Sequence, residues 1–274
     1  MKHLSFSQLG TLLGCPEKHR RQYLLGERGP ASAAIIMGQS AHRLPEVCLG
    51  DVQAGLPMRQ KASALKEVAR TWDTLATDRI DWSEGAGQLD PGECLTAAQR
   101  MAEVLYDEAL PGVRKGTLYA EWSFAIPIPG VPGWTFNGSI DHIRRVGKTL
   151  HVDDWKTSSK KWSQSRADTS MQVQAYYWAI WQHFGELPGG FSFHVVTRPR
   201  KGNPSEYDRL ETSRARGLVE AFTDRLAYAV KVIGLHEKDR PSDKRDEYEY
   251  HRWCPYRKDC TPWEGGEVGA RVIL

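Results

Sequence analysis

Helical spacing of apolar positions dominates the first hundred or so residues, and strand-like alternation takes over from Thr117. Ser5 or Ser7 can cap a helix that carries Leu9, Leu12 and Leu13 and is expected to end near Tyr23 and Leu24. A second apolar helix is expected from Ala33 to Leu49. Pro45 should kink or break it, because proline lacks the backbone N–H and crowds the preceding turn. The Gly- and Asp-rich stretch 81–92 reads as a loop, and helical spacing returns over 93–109. Beyond it YAEWSFAI alternates, IPGVPG turns, and WTFNGSIDHIRRV followed by TLHVDDWKT supplies two more strands. MQVQAYYWAIWQHF is a helix with an apolar side, started by Asp168 or Thr169; FSFHVV is a short strand, and 213–235 form another helix.

That order predicts an α/β core with helical additions. Residues 1–274 are read as one domain: a mainly helical part over 1–116, an α/β core over 117–235, and a polar, aromatic tail with two cysteines over 236–274. With 40% hydrophobic and 26% charged residues the composition is ordinary for a globular protein. A net charge of +3 does not announce a nucleic-acid binder, so such a role must rest on local basic clusters. MKHLSFSQLG lacks the apolar segment of a secretory signal, and no apolar run reaches membrane-spanning length. Five cysteines, an odd number in a mid-sized chain, do not suggest a disulfide framework. A cytoplasmic protein is the expectation.

Gly147 and Lys148 separate two of the strands, and glycine at the first central position suits a type II′ turn. A two-residue loop sets the register: 146 faces 149, 145 faces 150, and Asp141 then falls opposite Asp154 and Ser139 opposite Lys156. Alternation places Asp154 and Lys156 on one face; Asp153 and Trp155 point the other way, with Trp155 across from Ile140. Opposed side chains stand about 5 Å apart at Cβ, and two like charges there destabilise a sheet. A hard divalent cation such as Mg²⁺ or Mn²⁺ would offset that repulsion. Lys156, on the same face, could orient a water or stabilise a charged phosphate.

The chain resembles the PD-(D/E)XK nucleases, and within them the RecB-like exonuclease branch. The resemblance runs through GxxxH at Gly38–His42, GSID ending at Asp141, DWKT at Asp154–Thr157, and Gln172 with Tyr176 on the following helix. It implies a restriction-endonuclease-like core, a central mixed sheet flanked by helices. It also implies a metal-dependent DNA nuclease, an exonuclease of repair, recombination or phage DNA processing, in a bacterial or phage-infected cell. Asp141 and Asp154 would bind Mg²⁺ or Mn²⁺ with help from the Trp155 carbonyl, Lys156 would be the catalytic lysine, and His42 would add an imidazole ligand. Gln172 and Tyr176, four apart on one helix face, would approach the metal water or DNA, with Gln174 an alternative to Gln172. Pro45, just past His42 in a region expected to be helical, departs from the pattern. Two other readings are a non-catalytic nucleic-acid-binding module on the same fold and an RNA-directed nuclease. The intact Asp–Asp–Lys set argues against the first.

Iron–sulfur relatives of this branch join an early cysteine to a C-x2-C-x5-C tail. The matching positions are Cys15, His251, Cys254 and Cys260, with histidine in the first tail position. That set suits a 4Fe–4S cluster, structural Zn²⁺, or no metal at all. Cys48 and Cys94 read as packing residues. Basic residues gather at Lys18–Arg21, at Lys160, Lys161 and Arg166, and at Arg198–Lys201. The second group follows Lys156, where a DNA backbone would pass the metal, and Trp162 would stack on a base. No helicase motif is present, so a helicase or recombination protein would be a separate partner; oligomeric state stays open.

Overall fold

The computed structural model describes residues 1–77, 79–84, 87–200, 203–235 and 254–256. The chain opens with a short strand, β1 (Lys2–Ser5), and helix α1 (Phe6–Gly14). The Ser5 hydroxyl caps α1, accepting from the Gln8 N–H at 3.1 Å. The single helix expected to reach Leu24 is broken at Cys15, whose extended backbone separates α1 from α2 (Pro16–His19) and a π-helical turn (Arg20–Leu24). Pro16 accounts for the break: it disfavours helical geometry in the residue before it, yet suits the first turn of a new helix.

Strand β2 (Ala31–Ser32) leads into α3 (Ala33–Gln53), which is followed by α4 (Lys61–Leu75). Pro45 does not break α3, which continues as one helix on both sides of it. Interior proline costs a helix about 3 kcal/mol. Here Leu44, Val47, Cys48 and Leu49 are buried with Ala64, Val68 and Trp72 of α4, and that packing outweighs it. The stretch 81–92 is more structured than a loop. β3 (Ile80–Asp81) pairs with β2, and β4 (Ser83–Glu84) pairs with β5 (Gly87–Gln88). Asp90 then caps α5 (Pro91–Val104), accepting from the Glu93 N–H at 2.9 Å. A π-helical turn (Leu105–Ala109) and α6 (Leu110–Val113) complete the helical part.

The main sheet has six strands. To β1 it adds β6 (Thr117–Pro127), β7 (Trp134–Val146) and β8 (Thr149–Ser158). Next come α7 (Gln164–Asp168) and α8 (Met171–Phe184), then β9 (Gly190–Thr197), β10 (Tyr207–Thr212) and α9 (Arg216–Leu235). Because β8 and β9 are parallel, the chain must cross over between them, and α8 makes the crossing. α8 starts after Ser170 rather than at Asp168 or Thr169, which α7 uses, and stops at Gly185 with φ 73° and its N–H on the Trp181 carbonyl. β1 and β10 have no clear sequence signal. β1 is four residues long, and the edge strand YDRLET carries charge where a buried strand would alternate.

The strands run in the order β1-β7-β8-β9-β10, with β6 also on β7. β6 occupies one side of β7 from Thr135 to Arg144. On the other side β1 pairs in parallel with Trp134–Asn137 and β8 pairs antiparallel with His142–Val146. Residues 138–141 of β7 thus have no strand neighbour on that side among the described residues. One core packs α1, α8 and α9 on the sheet around Phe136, Trp178, Phe191 and Phe222; a second joins α3, α4 and α5 to Trp155 and Val196. This is the central mixed sheet flanked by helices that a restriction-endonuclease-like fold implies. Among the described residues no helix is long and apolar enough to cross a membrane.

Candidate active site

The β7–β8 hairpin has the register that a two-residue loop dictates, from Val146 opposite Thr149 to His142 opposite Asp153. Gly147 alone of the two loop residues has positive φ, as a type II′ turn requires. The ladder then stops. At the next step the Asp141 carboxylate takes the place of a backbone partner, accepting the Trp155 N–H at 2.9 Å. On the other flank Glu121, with φ 54°, is the one non-glycine residue of positive φ among the described residues, and it drops out of the β6–β7 pairing. Ile140 and Ile143 lie in the same core although three apart, so alternation fails between them. Two expectations change as a result. Ile140 belongs to the α8 core and Trp155 to the α3 core, so they do not pack together. Ser139 does not oppose Lys156; its hydroxyl donates to Glu121 Oε2 at 3.1 Å.

Asp154 and Lys156 share a face, and the ammonium pairs with Asp154 Oδ2. Gln172 Nε2 donates to Asp154 Oδ1 at 2.9 Å and lies 2.8 Å from the Tyr176 hydroxyl. Gln174 is engaged elsewhere, with the Leu218 carbonyl and Arg225, so Gln172 is the glutamine at the site. His42 arrives from α3. Four residues earlier Gly38 presses on β8, where a Cβ would meet Thr157 Oγ1 at 2.7 Å. Residues four apart share a helix face, so the glycine brings the helix close and the histidine reaches the charges of Lys156 and Asp154.

Too much negative charge meets at this point for the cations present. Burial pushes the Asp154 carboxyl up to about 6; the Asp141 charge adds to the rise and Lys156 opposes it. Burial also raises Asp141, against the pull of Lys156 and the Trp155 N–H. Glu121 is pushed up to about 7 by burial and then by Asp141, and Glu46, one turn past His42 on α3, adds to the field on both. His42 is pushed down to about 4 by burial and by Lys156, which leaves it neutral, and its enclosed Nε2 has no hydrogen-bond partner. Carboxylate oxygens beside an unpartnered imidazole nitrogen are a donor set that suits a divalent cation. Among the described residues no three His, Cys, Asp or Glu side chains are already gathered as a metal cage. Neither Glu121 nor Glu46 stood out in the sequence, since period two makes Glu121 an ordinary outward-facing strand residue.

A family model described as the PD-(D/E)XK nuclease superfamily matches residues 3–261. The chain belongs to that superfamily. Membership makes it a metal-dependent nuclease in general terms, a phosphodiester hydrolase, and PD-(D/E)XK nucleases generally use Mg²⁺ or Mn²⁺. Among solved structures it is similar to the "Crystal structure of SSO0001", with 16% identity, a TM-score of 0.38, and coverage of 89% of this chain and 93% of that one. No curated protein matches it significantly.

The remaining predicted residues of this PD-(D/E)XK chain lie beside the site or away from it. Lys160 is exposed just beyond β8. Lys161 pairs with Glu206 and approaches Asp208 at 3.9 Å. The Arg166 guanidinium covers the Trp162 ring at 3.8 Å, and Phe193 packs 5.2 Å from it, so this tryptophan is already engaged within the protein. In the Lys18–Arg21 cluster Arg20 and Arg21 both pair with Glu17. Cys48 and Cys94 are buried, as expected of packing residues. Cys15 and Cys254 are partly buried free thiols, while His251 and Cys260 lie outside the described residues. The adjoining tail residues dock on the N-terminal segment: the Tyr256 hydroxyl donates to the Glu27 carbonyl, and Arg21 lies over its ring at 5.4 Å. No iron–sulfur or zinc site is formed among the described residues.

Proposed function

We propose that this superfamily member is a DNA nuclease of the RecB-like exonuclease branch, acting on DNA ends in repair, recombination or phage DNA processing. The observation that carries the reading is the meeting of Asp141, Asp154 and Lys156 with the unpartnered Nε2 of His42 where β7 and β8 part. The order of the GxxxH, GSID, DWKT and Gln172–Tyr176 elements supports the branch, and exposed Lys160 and Arg166 beyond β8 supply positive charge for a phosphate backbone.

His42 Nε2, the Asp141 and Asp154 carboxylates and the Trp155 carbonyl are the groups that would hold Mg²⁺ or Mn²⁺. When bound, such a cation lowers the pKa of a water and neutralises charge on the phosphate. Lys156, kept protonated by Asp154 and Asp141 despite its burial, orients the attacking water and offsets charge developing on the phosphate oxygens. Gln172 fixes the Asp154 carboxylate, and Tyr176 steadies Gln172. Glu121 adds a third carboxylate beside Asp141.

End-labelled single-stranded DNA, duplex DNA and RNA, digested with Mg²⁺, Mn²⁺ or EDTA beside an Asp154→Ala control, test the reading. Metal-dependent shortening of DNA from its ends, lost in the control, is expected. Preferential cutting of RNA, cleavage of closed circular DNA as fast as linear, or an active control would overturn it.

A further inference from the structure

Directly behind Asp154, on the opposite face of β8, the Asp153 side chain is wholly buried. Its Oδ2 accepts from His142 Nδ1 at 3.0 Å and Arg144 Nε at 2.7 Å, both on β7. Its Oδ1 accepts from His194 Nε2 of β9 at 2.9 Å. The chain of contacts continues on both flanks. His194 Nδ1 lies 2.7 Å from the Tyr207 hydroxyl on β10, and His142 Nε2 lies 3.1 Å from Thr117 Oγ1 on β6. One line of side chains thus crosses five adjacent strands. Burial opposes ionisation of Asp153, yet the bonds from His142, His194 and Arg144 hold its carboxyl well below the usual range.

The network sits where the site needs precision. His142 and Asp153 are the last pair of the β7–β8 ladder, and the next residues on either strand are Asp141 and Asp154. The Trp155 ring stacks on His142 (centroids 6.4 Å apart) and packs at a tilt against His194 (4.7 Å), while the Trp155 N–H is the donor to Asp141. A buried ionic cluster is a poor source of stability, since apolar residues of the same shape do as well or better; fixing one geometry is what it can add. We propose that Asp153, with His142 and His194, is a positioning cluster that sets where β7 and β8 part and so places the Asp141 and Asp154 carboxylates for a cation. The proposal rests on the reading of those two acids as the cation-holding pair.

The test uses the full chain and two readouts, amide exchange at Trp155 by NMR and Mn²⁺ binding by EPR titration. His194→Leu removes one donor and His194→Gln restores an amide N–H in its place; Asp153→Asn is the second variant. In folded His194→Leu, Trp155 exchange should rise about tenfold beyond any change in global stability, and the Mn²⁺ dissociation constant should rise about tenfold. His194→Gln should recover both to within about twofold, on the scale of a retained outer-shell bond. Wild-type Trp155 exchange in folded His194→Leu and Asp153→Asn would overturn the positioning role. If the wild-type chain binds no Mn²⁺, or Asp154→Ala binds it equally well, the cation reading of the acids falls. The exchange arm still decides whether the cluster holds the strand.

Discussion

Gly38 on α3 and Thr157 on β8 approach so closely that a Cβ on the glycine would lie 2.7 Å from the threonine hydroxyl. This contact seats α3 against the strand that bears Asp154 and Lys156, and His42 follows one turn later. Gly38→Ala should therefore cost about 1–3 kcal/mol through overpacking, although alanine is the better helix former. It should also weaken Mn²⁺ binding by shifting His42. Thr157→Ala removes the obstructing oxygen, so the double variant should regain most of the loss. Urea denaturation of the four proteins of the cycle checks this; additive losses would refute the contact as the cause.

Glu121 gives a pH signature. Its folded midpoint of about 7 lies above the ordinary 4.5, so between these values the folded chain holds a proton that the unfolded chain has released. Stability of the metal-free protein should accordingly fall as pH rises from about 4.5 to about 7, by an amount on the order of 2 kcal/mol after discounting for partial exposure. Glu121→Gln should flatten that slope. Part of it will remain, because Asp154 is raised in the same direction. Denaturation at pH 5 and pH 8 in EDTA is the measurement, and a slope unchanged by the substitution would exclude Glu121 as a source.

The two glutamines of α8 should separate cleanly. Gln172→Ala frees Asp154 Oδ1 and should lower the cleavage rate about ten- to a hundredfold with little change in stability. Gln174→Ala should leave the rate near wild type but destabilise the fold by about 1 kcal/mol, because its side-chain bonds to the Leu218 carbonyl and Arg225 are lost. Single-turnover kinetics alongside thermal melts distinguish the two. Equal rate losses would contradict the assignment.

Much of the site was legible in the residues because strand and hairpin geometry is local. A glycine in a two-residue loop sets the hairpin register, and period two then places Asp154 beside Lys156 and turns Asp153 away. Spacing of four put Gln172 and Tyr176 on one helix face. Helix ends were less legible. The break at Cys15 and the survival of α3 through Pro45 turned on the same residue type, with opposite outcomes. Burial on both sides of Pro45 decided the second case, and no local signal reports burial.

The sequence by itself determined the α/β order and the hairpin face that Asp154 and Lys156 share, because backbone periodicity and turn chemistry act over a few positions; the nuclease reading came from the resemblance of its ordered motifs to a family. Tertiary structure alone decided that β1 and β8 share one side of β7, that the ladder ends at His142 and Asp153, and that Glu121, Glu46 and His42 converge on the gap. Those facts depend on which distant segments pack together, and the carboxyl midpoints near neutrality follow from the burial and crowded charge that only such packing creates.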